Sequence, residues 1–250
     1  MQATAPGQNR TGAAVIPREI DLMLEAVQDL SPPMPISTLQ MDIERQSYIA
    51  EAESVGSIPP AKQTSQPKKP QPGAANANIL LDKLGERIAF ERTGTRLYGA
   101  LITKHLALIN AGADVLPPAN DSETAVETLQ RIRAEELEHF HLLCDSVLSM
   151  GGDPTAQTPC ADVTAAASMG LMQVITDPRT TLAQCLNTIL TAELTDNAGW
   201  ELLIQLAEGA GQRAMTEQFS QALQAERLHL ATIQGWLQAL LITARDTPAV

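Results

Sequence analysis

From residue 76 onward, apolar residues recur at the three- and four-residue spacing of amphipathic helices, and turn-forming residues divide the pattern into four long segments. The first runs from Asn76 to Asn110 and ends before Ala-Gly-Ala and the Pro117-Pro118 break. The second starts at Asp121 and Ser122, carries Glu123 and Glu127 near its positive end, and runs to Met150 before Gly151-Gly152. The third, Thr181 to Ala207, follows Asp177-Pro178 and ends near Gly209 and Gly211; the fourth runs from Gln212 to about Thr243. Between the second and third lies Gly151 to Thr180, with a small-residue helix candidate over Val163 to Ile175. Four long helices with one long connection in the middle predict an all-α four-helix bundle with a single crossover between helices two and three. Short links at each end make helices one and two, and three and four, antiparallel neighbours.

Residues 1–75 have a different pattern. Ile20, Met23, Leu24, Val27 and Leu30 give Ile16 to Leu30 a helical spacing, too short to fold alone. Val55 to Gly73 contains five prolines and no aromatic, which predicts an extended linker. The chain therefore divides into an N-terminal arm over 1–75, carrying one short amphipathic helix and a Pro-rich stretch, and a bundle over 76–250.

Composition agrees with helices. Among 250 residues, 44% are apolar but only seven are aromatic, so the core must be built mainly from Leu, Ile, Ala and Met rather than from the β-branched and aromatic residues of a sandwich or barrel. The net charge of −12 argues against nucleic acid, whose phosphates need a basic patch. Cys144, Cys160 and Cys185 are odd in number and form no CxxC pair, which predicts reduced thiols in a cytoplasmic protein. No export signal stands at Met1 to Val15, and no apolar run is long enough for a membrane.

The histidines carry the chemistry. Helix two holds Glu136-x-x-His139 and helix four holds Glu226-x-x-His229, two of the chain's four histidines being absorbed in this one motif. Residues three apart on a helix share a face, so a carboxylate and an imidazole can converge on one metal. Helices one and three repeat at an offset of 102 residues, pairing Glu91 with Glu193, Thr93 with Thr195, Tyr98 with Trp200, Leu101 with Leu203 and Ile102 with Ile204. The repeat selects Glu193 over Glu201 as the partner of Glu91. Hard carboxylates with imidazole suit iron or manganese, and four carboxylates balance two divalent ions.

The order Glu91, Glu136-x-x-His139, Glu193, Glu226-x-x-His229 resembles the ferritin-like superfamily, particularly its bacterioferritin and rubrerythrin type, over about residues 76–243. The resemblance implies a ferritin-like bundle with two iron ions, or manganese ions as the alternative. Glu136 and Glu226 would bridge, Glu91 and His139 completing one metal position and Glu193 and His229 the other. It further implies a ferroxidase- or peroxidase-like oxidoreductase that reacts with dioxygen or hydrogen peroxide and assembles as a homo-oligomer. Manganese catalase, iron storage and a non-catalytic assembly bundle are the alternatives. The chain departs from the family in lacking rubredoxin-type cysteines and an evident haem-ligating methionine.

Other residues fit plainer roles. Tyr98 and Trp200 suit either the core or a gating position two turns beyond Glu91 and Glu193. His141 and His105 point or lie away from the motif, and Glu135, Glu138 and Glu217 read as solvated helix charges.

Overall fold

The computed structural model describes residues 21–22, 25–26, 38–52, 74–113 and 116–243. Every regular element among them is an α-helix, and none is long and apolar enough to cross a membrane. The chain divides into two compact units, Met1–Ser54 and Val55–Val250.

In the first unit, helix α1 spans Thr38–Glu51, an element the apolar pattern does not announce. Leu39, Ile43, Tyr48 and Ile49 all stay exposed, so no one-sided stripe marks it. Side-chain bonds one turn apart support it instead, Gln40 to Glu44 at 3.1 Å and Ser47 to Glu51 at 3.0 Å. The helix expected over Ile16 to Leu30 is described only at Asp21, Leu22, Glu25 and Ala26, which are helical and exposed. Its remainder, and the Pro-rich stretch from Val55 to Gly73, lie outside the described residues.

The second unit contains α2 (Ala74–Asn110), α3 (Ala125–Ser149), α4 (Pro159–Ala167), α5 (Met169–Thr176), α6 (Leu182–Gly209) and α7 (Arg213–Thr243). Capping sets the starts. Helix α3 begins three residues later than Asp121 and Ser122 suggest, because Thr124 and Glu127 form a reciprocal capping box. The preceding turn is closed by Asn120, whose side chain accepts from the backbone of Ser122 and Glu123. Thr181 and Gln184 form a second box that starts α6. After α3 and α6 the chain turns at Gly151 (φ 76°) and Gly211 (φ 73°), a left-handed conformation that glycine adopts without cost from a Cβ.

The long connection carries two short helices rather than one, with the break at Ser168. Both pack along α2. Thr158 caps α4 and also donates to the Asp82 carbonyl at 3.0 Å, while Lys104 donates to the Asp177 and Thr180 carbonyls at 2.7 and 3.1 Å. These bonds tie both ends of the connection to α2.

The four long helices pack α2 against α3, α6 against α7, α2 against α6 and α3 against α7. Their buried apolar residues form two clusters. One contains Leu97 and Leu101 of α2, Leu129 and Ile132 of α3, Ile189 of α6 and Ile233 of α7. The other contains Leu84 and Ile88 of α2, Leu143 of α3, Trp200 and Leu203 of α6 and Phe219 of α7. Each fully buried side chain of this kind contributes about 1.5–3 kcal/mol, so the clusters hold the helices together at both ends. Between them every long helix turns polar: Glu91 on α2, Glu136 and His139 on α3, Glu193 on α6, Glu226 and His229 on α7.

Candidate metal centre

All six residues of the ligand pattern are buried, at 7% exposure or less, although carboxylates almost never lie inside unless paired. Their order along the helices explains the placement. Glu91 sits one turn past Ile88, Glu136 one turn past Ile132 and Glu193 one turn past Ile189, so the apolar face that docks each helix carries its carboxylate inward. Glu201, the residue the internal repeat rejects, is outside and pairs with Arg227 at 3.0 Å on the surface.

The side chains converge. His139 Nδ1 lies 2.6 Å from Glu226 Oε1 and 4.0 Å from Glu91 Oε2. His229 Nδ1 lies 3.0 Å from Glu226 Oε2 and 3.6 Å from Glu136 Oε1. Among the described residues, three groups have donor atoms within 4.8 Å of one another and could hold a metal ion: Glu136, Glu193, Glu226 and His229; Glu91, His139 and Glu226; and Glu91, Glu136, Asp196 and Glu226. Glu226 belongs to all three. Helix α2 comes so close to Glu136 that a Cβ on Gly94 would collide with its carboxylate.

Arg87, Asp196, Glu135 and Tyr98 are partners of the cluster that carry no mark in the Glu-x-x-His pattern. Arg87, itself buried, donates to Glu91 Oε1 at 2.9 Å and pairs with Asp196, and its guanidinium lies 4.2 Å from the Phe90 ring centre. A one-turn spacing relates Arg87 to Glu91, which is the only sequence signal; Asp196 reaches them from α6. Glu135 reads as a solvated charge in the sequence but is half-buried and lies 2.6 Å from His229 Nε2. Arg131 holds Glu135 at 3.0 Å and Glu123 at 3.2 Å. Tyr98 does more than fill the core: its hydroxyl donates to Glu193 Oε1. Trp200, its counterpart in the repeat, packs edge-on against His139 with ring centres 5.4 Å apart. Glu138 and Glu217 are exposed, as their solvated reading requires, and His141, which points away from the motif, is exposed too. His105 is buried elsewhere, and burial lowers its pKa.

Crowding of like charges dominates the electrostatics. Burial, with the charges of Glu136 and Glu226, pushes Glu91 well above the usual carboxylate range despite Arg87. Burial and the same two charges push Glu193 well up against the pull of His229 and Tyr98. Glu136 is raised by burial and by Glu226. For Glu226 burial acts upward too, but the hydrogen bonds of His139 and His229 outweigh it and hold the group at about 2. Burial would lower His229, yet hydrogen bonds to Glu135, Glu136 and Glu226 lift it to about 12. Five buried carboxylates thus face one arginine and two imidazoles. Glu91 Oε2 and Glu193 Oε2 have no hydrogen-bond partner, and an unpaired buried oxygen of this kind costs about 1–3 kcal/mol or more. Divalent cations would satisfy both deficits, so the donor set fits a metal pair.

A small cavity between α2 and α6 abuts the cluster. Phe90, Leu97 and Ile189 bound it on the apolar side, and Tyr98, Glu136 and Glu193 on the polar side. It is about the size of one water molecule. Comparison of the chain with family models, curated proteins and solved structures gave no match.

Proposed function

We propose that this chain is a ferritin-like, non-haem di-metal carboxylate protein that binds two iron ions in the bundle core and acts as a ferroxidase- or peroxidase-like oxidoreductase on dioxygen or hydrogen peroxide. Glu136 and Glu226 would be shared by the two ions; Glu91 with His139, and Glu193 with His229, would complete the two positions. The connection between α3 and α6 is the long crossover of that fold, and the N-terminal segment is its arm. One observation carries the reading: carboxylates from four helices face one another in an interior where they outnumber the one arginine and two imidazoles beside them. Iron bound there supplies the electrons that reduce the oxidant.

The chain's own residues have definable tasks. Glu135 accepts from His229 Nε2 and so turns Nδ1 toward Glu136 and Glu226, the way a metal-binding imidazole is usually oriented. Tyr98 holds one oxygen of Glu193 and leaves Oε2 for a metal. Arg87 does the same for Glu91. The apolar clusters above and below exclude bulk water, and the adjoining cavity has room for about one water-sized molecule beside Glu136 and Glu193.

Metal analysis of protein purified without chelator tests the reading. The expected result is two ions per chain with iron predominating; fewer than one ion per chain overturns it. Manganese in place of iron moves the assignment to catalase chemistry. Rapid mixing of the iron-loaded protein with dioxygen or peroxide then identifies the oxidant, and light scattering determines whether the chain forms the hollow oligomer that storage requires.

A further inference from the structure

The internal repeat makes the two halves of the centre comparable position by position, and they have diverged where they touch it. At the 102-residue offset, Arg87 corresponds to Ile189, Gly94 to Asp196 and Leu97 to Gly199. These differences belong together in space. Arg87 pairs with Asp196, and it fits only because position 199 is glycine: a Cβ there would lie 2.7 Å from its Nη1 and 3.0 Å from its Cζ. Helices α3 and α7 differ likewise. Their motifs are offset by 90 residues, so Glu135, which backs His229, corresponds to Ala225, and His139 meets the edge of Trp200 instead.

On the di-metal reading above, we infer that Arg87 is a positioning residue that makes the two metal positions unequal, by placing its positive charge on Glu91 and by keeping Asp196 off the metal. Glu193 is held by a neutral hydroxyl, which adds no charge against a cation, and His229 by a carboxylate, which favours one. Glu91 is held by a guanidinium, whose charge opposes one. Asp196 lies within ligand reach of Glu91, Glu136 and Glu226, yet its charge is taken up by Arg87. The position at Glu91 and His139 would therefore be the weaker, because the charge of Arg87 opposes an ion there and withholds Asp196 from it.

Anaerobic calorimetric titration with Mn(II) tests this, because Mn(II) binds without redox chemistry. The full-length protein should take up two ions in separate steps. His139→Ala should remove the weaker step and His229→Ala the tighter one. Arg87→Gln frees Asp196 as a ligand and should tighten the weaker step about tenfold or more. The double variant Arg87→Gln/Asp196→Asn should cancel that gain, and Asp196→Asn alone should weaken the same step. A purely structural role for Arg87 predicts the opposite sign, since its loss would only loosen the site. Two equal steps in the parent protein, or a weaker step that Arg87→Gln leaves unchanged or loosens, overturns the inference. If Arg87→Gln does not fold, the histidine variants and Asp196→Asn still decide it. Fewer than one Mn(II) bound by the parent protein refutes the di-metal reading itself, a result distinct from either.

Discussion

Replacing Gly94 by alanine separates the metal centre from the fold that carries it. Glu136 Cδ would lie 2.9 Å from the new Cβ, and Oε2 closer still. The contact is with the end of a flexible side chain, so it is relieved by rotating the carboxylate away rather than by parting α2 from α3. Alanine is favoured over glycine in a helix interior by about 0.5–1 kcal/mol. The metal-free variant should therefore fold, with a Tm unchanged or raised by about 1–4 °C. Metal response should fall instead. An ion at about 100 times its Kd stabilises the parent by about 2.7 kcal/mol per site. Two sites give about 5 kcal/mol, which is a rise of about 10–20 °C for a chain of this size. Gly94→Ala should lose at least one bound ion and at least half that rise, read by calorimetric melting with and without Mn(II) alongside metal analysis. A variant that keeps two ions and the full rise would remove Glu136 from the ligand set.

Other outcomes follow from the same geometry. Glu226→Ala takes away the carboxylate shared by every ligand group, so bound metal should drop below two ions per chain; unchanged stoichiometry refutes its bridging role. Glu135→Gln should weaken Mn(II) binding about tenfold or more while the circular dichroism spectrum stays the same, because only the orientation of His229 is lost. Tyr98→Phe removes the donor to Glu193 and should cost about 0.5–1.5 kcal/mol in urea unfolding at unchanged m-value. The metal-free protein should lose stability as pH rises above the usual carboxylate range. Glu91, Glu136 and Glu193 are raised in the folded state, so the folded chain binds more protons there and their contribution is complete only below the unfolded pKa. His229, raised to about 12, acts in the same direction above its ordinary value, whereas Glu226 loses its contribution only as pH falls toward about 2. Metal requires the ionised carboxylates, so the Tm gain from Mn(II) should grow over the same rise in pH; a gain that shrinks contradicts the assignment.

Periodicity and turn residues located the four long helices, because each buries one apolar face for most of its length; the cap Thr181 lies where the pattern starts, whereas Thr124 starts α3 three residues past Asp121. Helix α1 escaped the same reasoning, since its apolar residues face solvent. The break at Ser168 escaped it as well, because small residues support one helix or two equally well. The buried Glu and His cluster was legible for a different reason: Glu and His three apart share a helix face whatever the tertiary context, and the repeat distinguished buried Glu193 from exposed Glu201.

What amino-acid order determined was thus local and periodic: which segments are helical, and which carboxylates and imidazoles ride on their apolar faces. Tertiary packing decided everything that depends on two helices meeting. It set Arg87 between Glu91 and Asp196, turned Glu135 from a surface charge into the support of His229, and brought Tyr98 to Glu193. Those contacts cross between helices at separations of 94 to 109 residues along the chain, apart from the one-turn pair of Arg87 with Glu91. A helix period records which face a residue occupies but not which residue of another helix stands opposite, and that opposition is what tunes a buried charge.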